Sequence, residues 1–131
     1  MYEDDESGVP DIDASDIDIP GIDAELGSDI YGGEMDIYIG ALRSFAANIP
    51  AAVDKLNHVS EETLHLYATT VHGLKGSCAT IGAEEIRERA YDLEIKAKAG
   101  DVSGILALNE GLVDDVKKLI GDIQACLDRI T

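Results

Sequence analysis

The sequence predicts an all-α fold: an up-and-down antiparallel four-helix bundle with a short additional N-terminal helix. Three observations carry that prediction. Apolar residues recur at steps of three and four through residues 34–131. Glycines and capping residues cut the stretch into helix-length pieces. No strand-like alternation competes there, and short connections between long helices make neighbours antiparallel.

Asp23 can cap a short helix running to about Tyr31, which Gly32-Gly33 ends. A second helix from about Glu34 places Tyr38, Leu42, Phe45, Ile49, Val53 and Leu56 on one face, with a kink or break expected near Asn48 because Pro50 lies inside it. Ser60 caps a third helix, opened by Glu61-Glu62 at its positive end and closed near Gly82. The fourth spans roughly Ala83 to Ala99, with Ala83, Ile86, Ala90, Leu93 and Ala97 inward and Gly100 as its stop. The last runs from about Ile105 to Ile130 through Leu108, Leu112, Val116, Leu119, Ile123 and Cys126.

Residues 1–19 differ in kind. Glu3-Asp-Asp-Glu6, Pro10 and the Asp-Ile alternation of Asp11 to Ile19 have low apolar density and self-repelling charge, so they read as an acidic disordered tail or linker. The domain proper is then residues 20–131. An EF-hand beginning at Asp16 fails, because Pro20 takes the fifth position and Gly27 stands where a bidentate Glu is required.

Composition narrows the partners. The net charge of −17 argues against nucleic acid and against anionic membrane surfaces, since binders of either present lysine and arginine. Residues 1–42 hold 13 acids and no base, whereas residues 43–131 hold 14 acids against 10 bases, a net of −4. No apolar run approaches the ~20 residues needed to cross a bilayer, and the N-terminus lacks the pattern of a signal peptide. Cys78 and Cys126 match no metal-ligand spacing and read as reduced, buried residues. The expected location is therefore cytoplasmic, or the cytoplasmic portion of a membrane-bound protein.

The chemistry concentrates on the third helix. Leu64, Tyr67, Val71, Leu74, Cys78 and Ile81 form an uninterrupted core seam at steps of 3, 4, 3, 4 and 3. His72 is turned about 100° from Val71, onto the flank of that seam. Its surface neighbours three and four residues away are Ala68, Thr69, Lys75 and Gly76. A glycine within a helix costs about 1 kcal/mol relative to alanine, so Gly76 calls for close approach of another backbone or protein surface. An exposed imidazole is largely an uncharged nucleophile near neutral pH. It can attack phosphorus without a general base, and Lys75 can neutralise charge on the transferred group. Ala68, Thr69, Gly76 and Ala79 provide a low platform on which a partner can dock. His65 reads as a surface or edge residue and His58 as loop. A metal shared by His58, His65 and His72 is excluded because adjacent members would stand ~10 Å apart along a helix.

The segment from Val71 to Ala83, containing His72-Gly-Leu-Lys75-Gly76 and Gly82, resembles the H-x-L-K-G…G signature of histidine-containing phosphotransfer (HPt) domains. Pro20-Gly-Ile-Asp23, Gly32-Gly33, Tyr38, Leu42, Phe45 and Ala90-x-x-Leu93-Glu94 are similar to that family as well, so the resemblance covers residues 20 to about 102 with motifs and the final helix by pattern. It implies a phosphoaccepting His72, a phosphoryl-stabilising Lys75 and a small residue at Gly76. It also implies a phosphorelay intermediate without kinase activity of its own. Phosphoryl would come from the aspartyl phosphate of one response-regulator receiver domain and go to another, with a hybrid sensor kinase among the partners. No cofactor would be its own, Mg2+ being held by the receiver, and the chain would be a monomer.

Two other readings stay open on the residues alone. The dimerisation and phosphoacceptor domain of a histidine kinase is also helical, but there the histidine is typically followed by an acid and then a proline. Here Gly73-Leu74-Lys75 follow His72, and there is neither a Gly-rich nucleotide loop nor room for an ATP-binding domain. A non-catalytic helical interaction module, with an inert His72, is the other.

Overall fold

The computed structural model describes residues 12–130, which contain five α-helices and no strand. The helices are α1 (Ala24–Asp29), α2 (Met35–Lys55), α3 (Leu64–Ala79), α4 (Glu84–Lys98) and α5 (Val102–Ile130). Single 3-10 turns precede α1, at Ala14–Asp16, and α3, at Glu61–Thr63. The long helices α2 to α5 form a closed ring in which α3 packs on α4, α4 on α5, α5 on α2 and α2 on α3. This is the expected bundle, with α1 laid against one end.

The seam of α3 is buried as its spacing predicts: Tyr67, Val71, Leu74, Cys78 and Ile81 are in the core, with Leu64 packed at its margin. Both cysteines are free and buried, and burial pushes the Cys78 thiol up to about 12. Gly82 has a φ of +81°, and a Cβ there would collide with the Asp23 carbonyl. The Asp23 amide donates to the Gly82 carbonyl at 2.9 Å, while the Tyr38 hydroxyl donates to the Ile81 carbonyl at 2.8 Å. The turn after α3 is thus clamped by α1 and α2, which fixes the helix that carries His72.

Four expectations need correction. The break is absent: helix α2 runs without interruption through Pro50, with Ile49 and Val53 on either side of it buried in the core. Helix α5 begins at Val102 rather than near Ile105, with the Asp101 carboxylate accepting the Gly104 amide at 2.9 Å as its cap. Leu108 is 46% exposed, and Asn109 takes the inward position beside it. Finally, residues 12–19 are not a free tail. Asp13 caps the first 3-10 turn, and Ile17 and Ile19 are buried in the core. Residues 1–11 of the expected tail lie outside the described residues.

Asn109 belongs to a buried polar latch. Its side-chain oxygen accepts the Tyr67 hydroxyl at 2.6 Å, and its amide donates to the Leu56 carbonyl at 2.8 Å, joining α5, α3 and the end of α2. Asn109→Leu strands both partners in the core. It is expected to cost about 2–4 kcal/mol, measured as a lower urea midpoint at unchanged slope.

Candidate functional site

His72 projects from the middle of α3, between the core residues Val71 and Leu74, so the helix is anchored while 65% of the imidazole side chain stays exposed. One ring atom is committed. Nδ1 lies 2.9 Å from Oε2 of Glu94 on the neighbouring helix α4. The Glu94 side chain is only 4% exposed, and it also accepts Lys75 Nζ on Oε1 at 2.8 Å and contacts Lys98 Nζ through Oε2 at 3.1 Å. A single buried carboxylate therefore gathers an imidazole and two ammonium groups from two helices.

Those contacts select the tautomer of the neutral ring. The hydrogen bond from Lys75 is the largest influence on Glu94. With those from Lys98 and His72 it outweighs burial and draws the carboxyl down to about 2. An ionised carboxylate can only accept, so His72 Nδ1 must donate, and the lone pair of the neutral ring sits on Nε2. Nε2 is then the ring nitrogen that carries the lone pair, on a side chain that is mostly exposed. Lys75 is held beside it by two partners, Glu94 and the face of the Tyr91 ring 4.9 Å away.

The residues expected to form the platform all lie on α3. Ala68 and Ala79 are half-buried, and Thr69 is exposed, with its hydroxyl donating to the His65 carbonyl at 3.1 Å. Gly76 is exposed, and a Cβ added there would meet nothing within 4 Å. No part of the described chain makes the close approach invoked for Gly76, which leaves the surface open for another molecule. His65 is exposed elsewhere on α3 and His58 lies in the loop after α2. Among the described residues no three His, Cys, Asp or Glu side chains cluster to hold a metal ion. No described helix is long and apolar enough to cross a membrane.

Glu94 is the residue whose role sequence reasoning missed. It stands inside a segment recognised as family-like, with no role assigned to it. The available signal was Lys98 four residues on, which pairs with it along the helix.

A depression of about 730 Å3 is lined by Asp18, Asp23 and Glu84, and one of about 250 Å3 by Arg89 and Asp115; neither includes His72. Fold and site together define a four-helix bundle that displays the His72 imidazole, tied to a buried carboxylate, on an exposed helix face. Residues 40–130 match the Hpt domain family, and the chain belongs to it. Its similarity to an individual protein is to the phosphorelay protein LuxU of Vibrio harveyi, at 36% identity over 88 residues, which are 62% of this chain and 66% of that protein. The chain thus spans just under two thirds of that relative. No solved structure matches.

Proposed function

We propose that the protein is a phosphorelay intermediate that takes a phosphoryl group onto His72 from the aspartyl phosphate of a receiver domain and passes it to a second receiver. The observation that carries this reading is the hydrogen bond from His72 Nδ1 to the buried Glu94 carboxylate, because it leaves Nε2 as an exposed lone pair.

In the forward step Nε2 attacks phosphorus in line, the N–P bond forms, and the P–O bond to the receiver's aspartate breaks, its electron pair leaving as carboxylate. The ring keeps its Nδ1 proton and becomes cationic, and the Glu94 carboxylate 2.9 Å away offsets that charge. Lys75 stands within a helical turn of His72 to meet the phosphoryl oxygens. The reverse sequence delivers the group to the next receiver. Mg2+ held by the receiver would neutralise phosphoryl charge, and the transfer would take place in the cytoplasm, with a hybrid sensor kinase as a further partner.

The test is direct. Incubated with Mg2+ and a panel of receivers phosphorylated on aspartate, the protein should acquire acid-labile, alkali-stable phosphate. If no receiver transfers label, the bundle is an interaction module with an inert histidine. Lys75→Ala should slow transfer about tenfold or more while far-UV circular dichroism stays that of the wild type. A loss of helicity would make Lys75 structural. Gly76→Leu should raise helix stability by up to about 1 kcal/mol yet lower receiver-driven transfer strongly, since its side chain would fill the open surface beside His72.

A further inference from the structure

The carboxylate that orients His72 also works against it as a nucleophile. An acid 2.9 Å from Nδ1 favours a second proton on the ring, and a doubly protonated imidazole has no lone pair with which to attack phosphorus. Local charge balance opposes that second proton. Among the described residues, His72, Lys75 and Lys98 pair with Glu94, so two ammonium groups face one carboxylate before the ring gains a charge. The other surroundings of His72 add none: Ala68, Thr69 and Gly76 lie one turn away on α3, and the α2 residues that line the depression beside α3, such as Ser44 and Asn48, are uncharged.

The two lysines are not equivalent. Lys75 reaches across from α3 to Oε1. Lys98 follows Glu94 by four residues on α4 and reaches Oε2, the oxygen that also accepts Nδ1. The 2.9 Å and 3.1 Å contacts to Oε2 together keep the Lys98 ammonium within about 6 Å of Nδ1. The other cations of α4, Arg87, Arg89 and Lys96, pair with acids that are at least 39% exposed, whereas Glu94 is 4% exposed. A pair between exposed groups does little, but a cation held against a buried carboxylate acts where solvent screens weakly. Among the groups that draw the Glu94 carboxyl down, Lys98 comes after Lys75 and ahead of His72.

We infer that Lys98 is a positioning residue of the transfer: sharing Oε2 with Nδ1, it cancels part of the carboxylate's pull on a second proton and so keeps His72 uncharged and nucleophilic beside an acid. Lys98 does this without touching the phosphoryl group, which leaves Lys75 free to serve it. When Lys75 turns from Oε1 to the phosphoryl oxygens, the released charge of Glu94 becomes available to the ring that has just become cationic, and Lys98 keeps the buried acid paired throughout.

The inference rests on the relay reading, and one experiment tells their failures apart. Initial rates of labelling are measured from about pH 5.5 to about pH 8 with phosphoramidate, a small phosphoryl donor, and with the phosphorylated receiver that loads the wild-type protein fastest. Each rate is taken as the ratio of variant to wild type, so that the donor's own titration cancels. For Lys98→Met the ratio should fall about three- to tenfold from about pH 8 to about pH 5.5 with both donors, because one cation within about 6 Å moves an imidazole's titration by roughly half to one pH. Lys98→Arg keeps the charge and should hold the ratio at about one. Nitrogen spectra of the His72 ring should show the second proton arriving at higher pH in Lys98→Met than in the wild type. A ratio that does not vary with pH, a fall towards acid with the receiver alone, or an arginine variant as impaired as the methionine one overturns the assignment to Lys98 and leaves the relay standing. Wild-type protein labelled by phosphoramidate but by no receiver overturns the relay, while the phosphoramidate ratio still judges Lys98. Wild-type protein labelled by neither donor overturns both.

Discussion

His72→Gln should take up no phosphoryl group from any receiver, at any concentration, while keeping the fold. Glutamine preserves a side-chain N–H that can donate to Glu94, so the ion-pair cluster on α4 retains a partner, but an amide nitrogen has no lone pair available for attack on phosphorus. Because 65% of the His72 side chain is exposed, the change in unfolding free energy should stay within about 0.5–1 kcal/mol. The comparison is made by label retained on the protein after alkali, alongside urea unfolding of both forms. Equal labelling of the variant would place the acceptor elsewhere in the chain. Unfolding of the variant would assign His72 to the structure.

The second large effect belongs to Glu94. Glu94→Ala removes the acceptor that fixes the ring, leaves Lys75 without its ion pair, and withdraws the charge that offsets the phosphorylated imidazole. A hydrogen bond to a charged group contributes about 1.5–3 kcal/mol, so receiver-driven transfer should fall about ten- to a hundredfold. Glu94→Gln keeps an acceptor oxygen and should recover part of the rate, which a purely structural role would not require.

Glu94→Gln also isolates the pH dependence. The carboxyl is lowered from 4.5 to about 2, chiefly by Lys75, so the native state binds its proton less readily than the unfolded chain does. Its contribution to stability is complete above about pH 4.5 and is lost as pH falls towards 2. The stability difference between wild type and Glu94→Gln should therefore narrow across that window in acid unfolding curves. A constant difference from pH 7 to 2 would mean that the carboxylate's charge contributes nothing to folding.

Helical periodicity made most of the bundle legible, because burial on one face of each helix leaves a pattern of threes and fours. Several of the misses were decided by contacts distant in sequence, whereas the start of α5 was set locally by the Asp101 cap on Gly104. Leu108 and Asn109 both continue steps of three and four from Ile105 to Leu112, and hydropathy favoured the leucine. The Tyr67 hydroxyl and the Leu56 carbonyl decide for Asn109, since they need a partner in the core. Ile17 and Ile19 were hidden among aspartates, where low apolar density reads as a tail, although alternate residues of an extended segment can share one buried face. For Pro50 both the local penalty and the apolar face of Ile49 and Val53 were clear, and the balance between them was not. At the site, His72 and Lys75 could be found because their chemistry is local to one helix. Glu94 showed only half of its setting, because its burial depends on cations from both α3 and α4 and only Lys98 lies on its own helix.

The central claim is that Glu94 holds the proton on Nδ1 and so presents Nε2 of His72 as the phosphoryl acceptor. Long-range proton–nitrogen correlation spectra of the His72 ring test it most directly, recorded at neutral pH before and after loading from a phosphorylated receiver. The account predicts an Nδ1–H tautomer in the resting protein and phosphorus bonded to Nε2 in the loaded one. Phosphorus on Nδ1, or a resting ring protonated on Nε2, would contradict it.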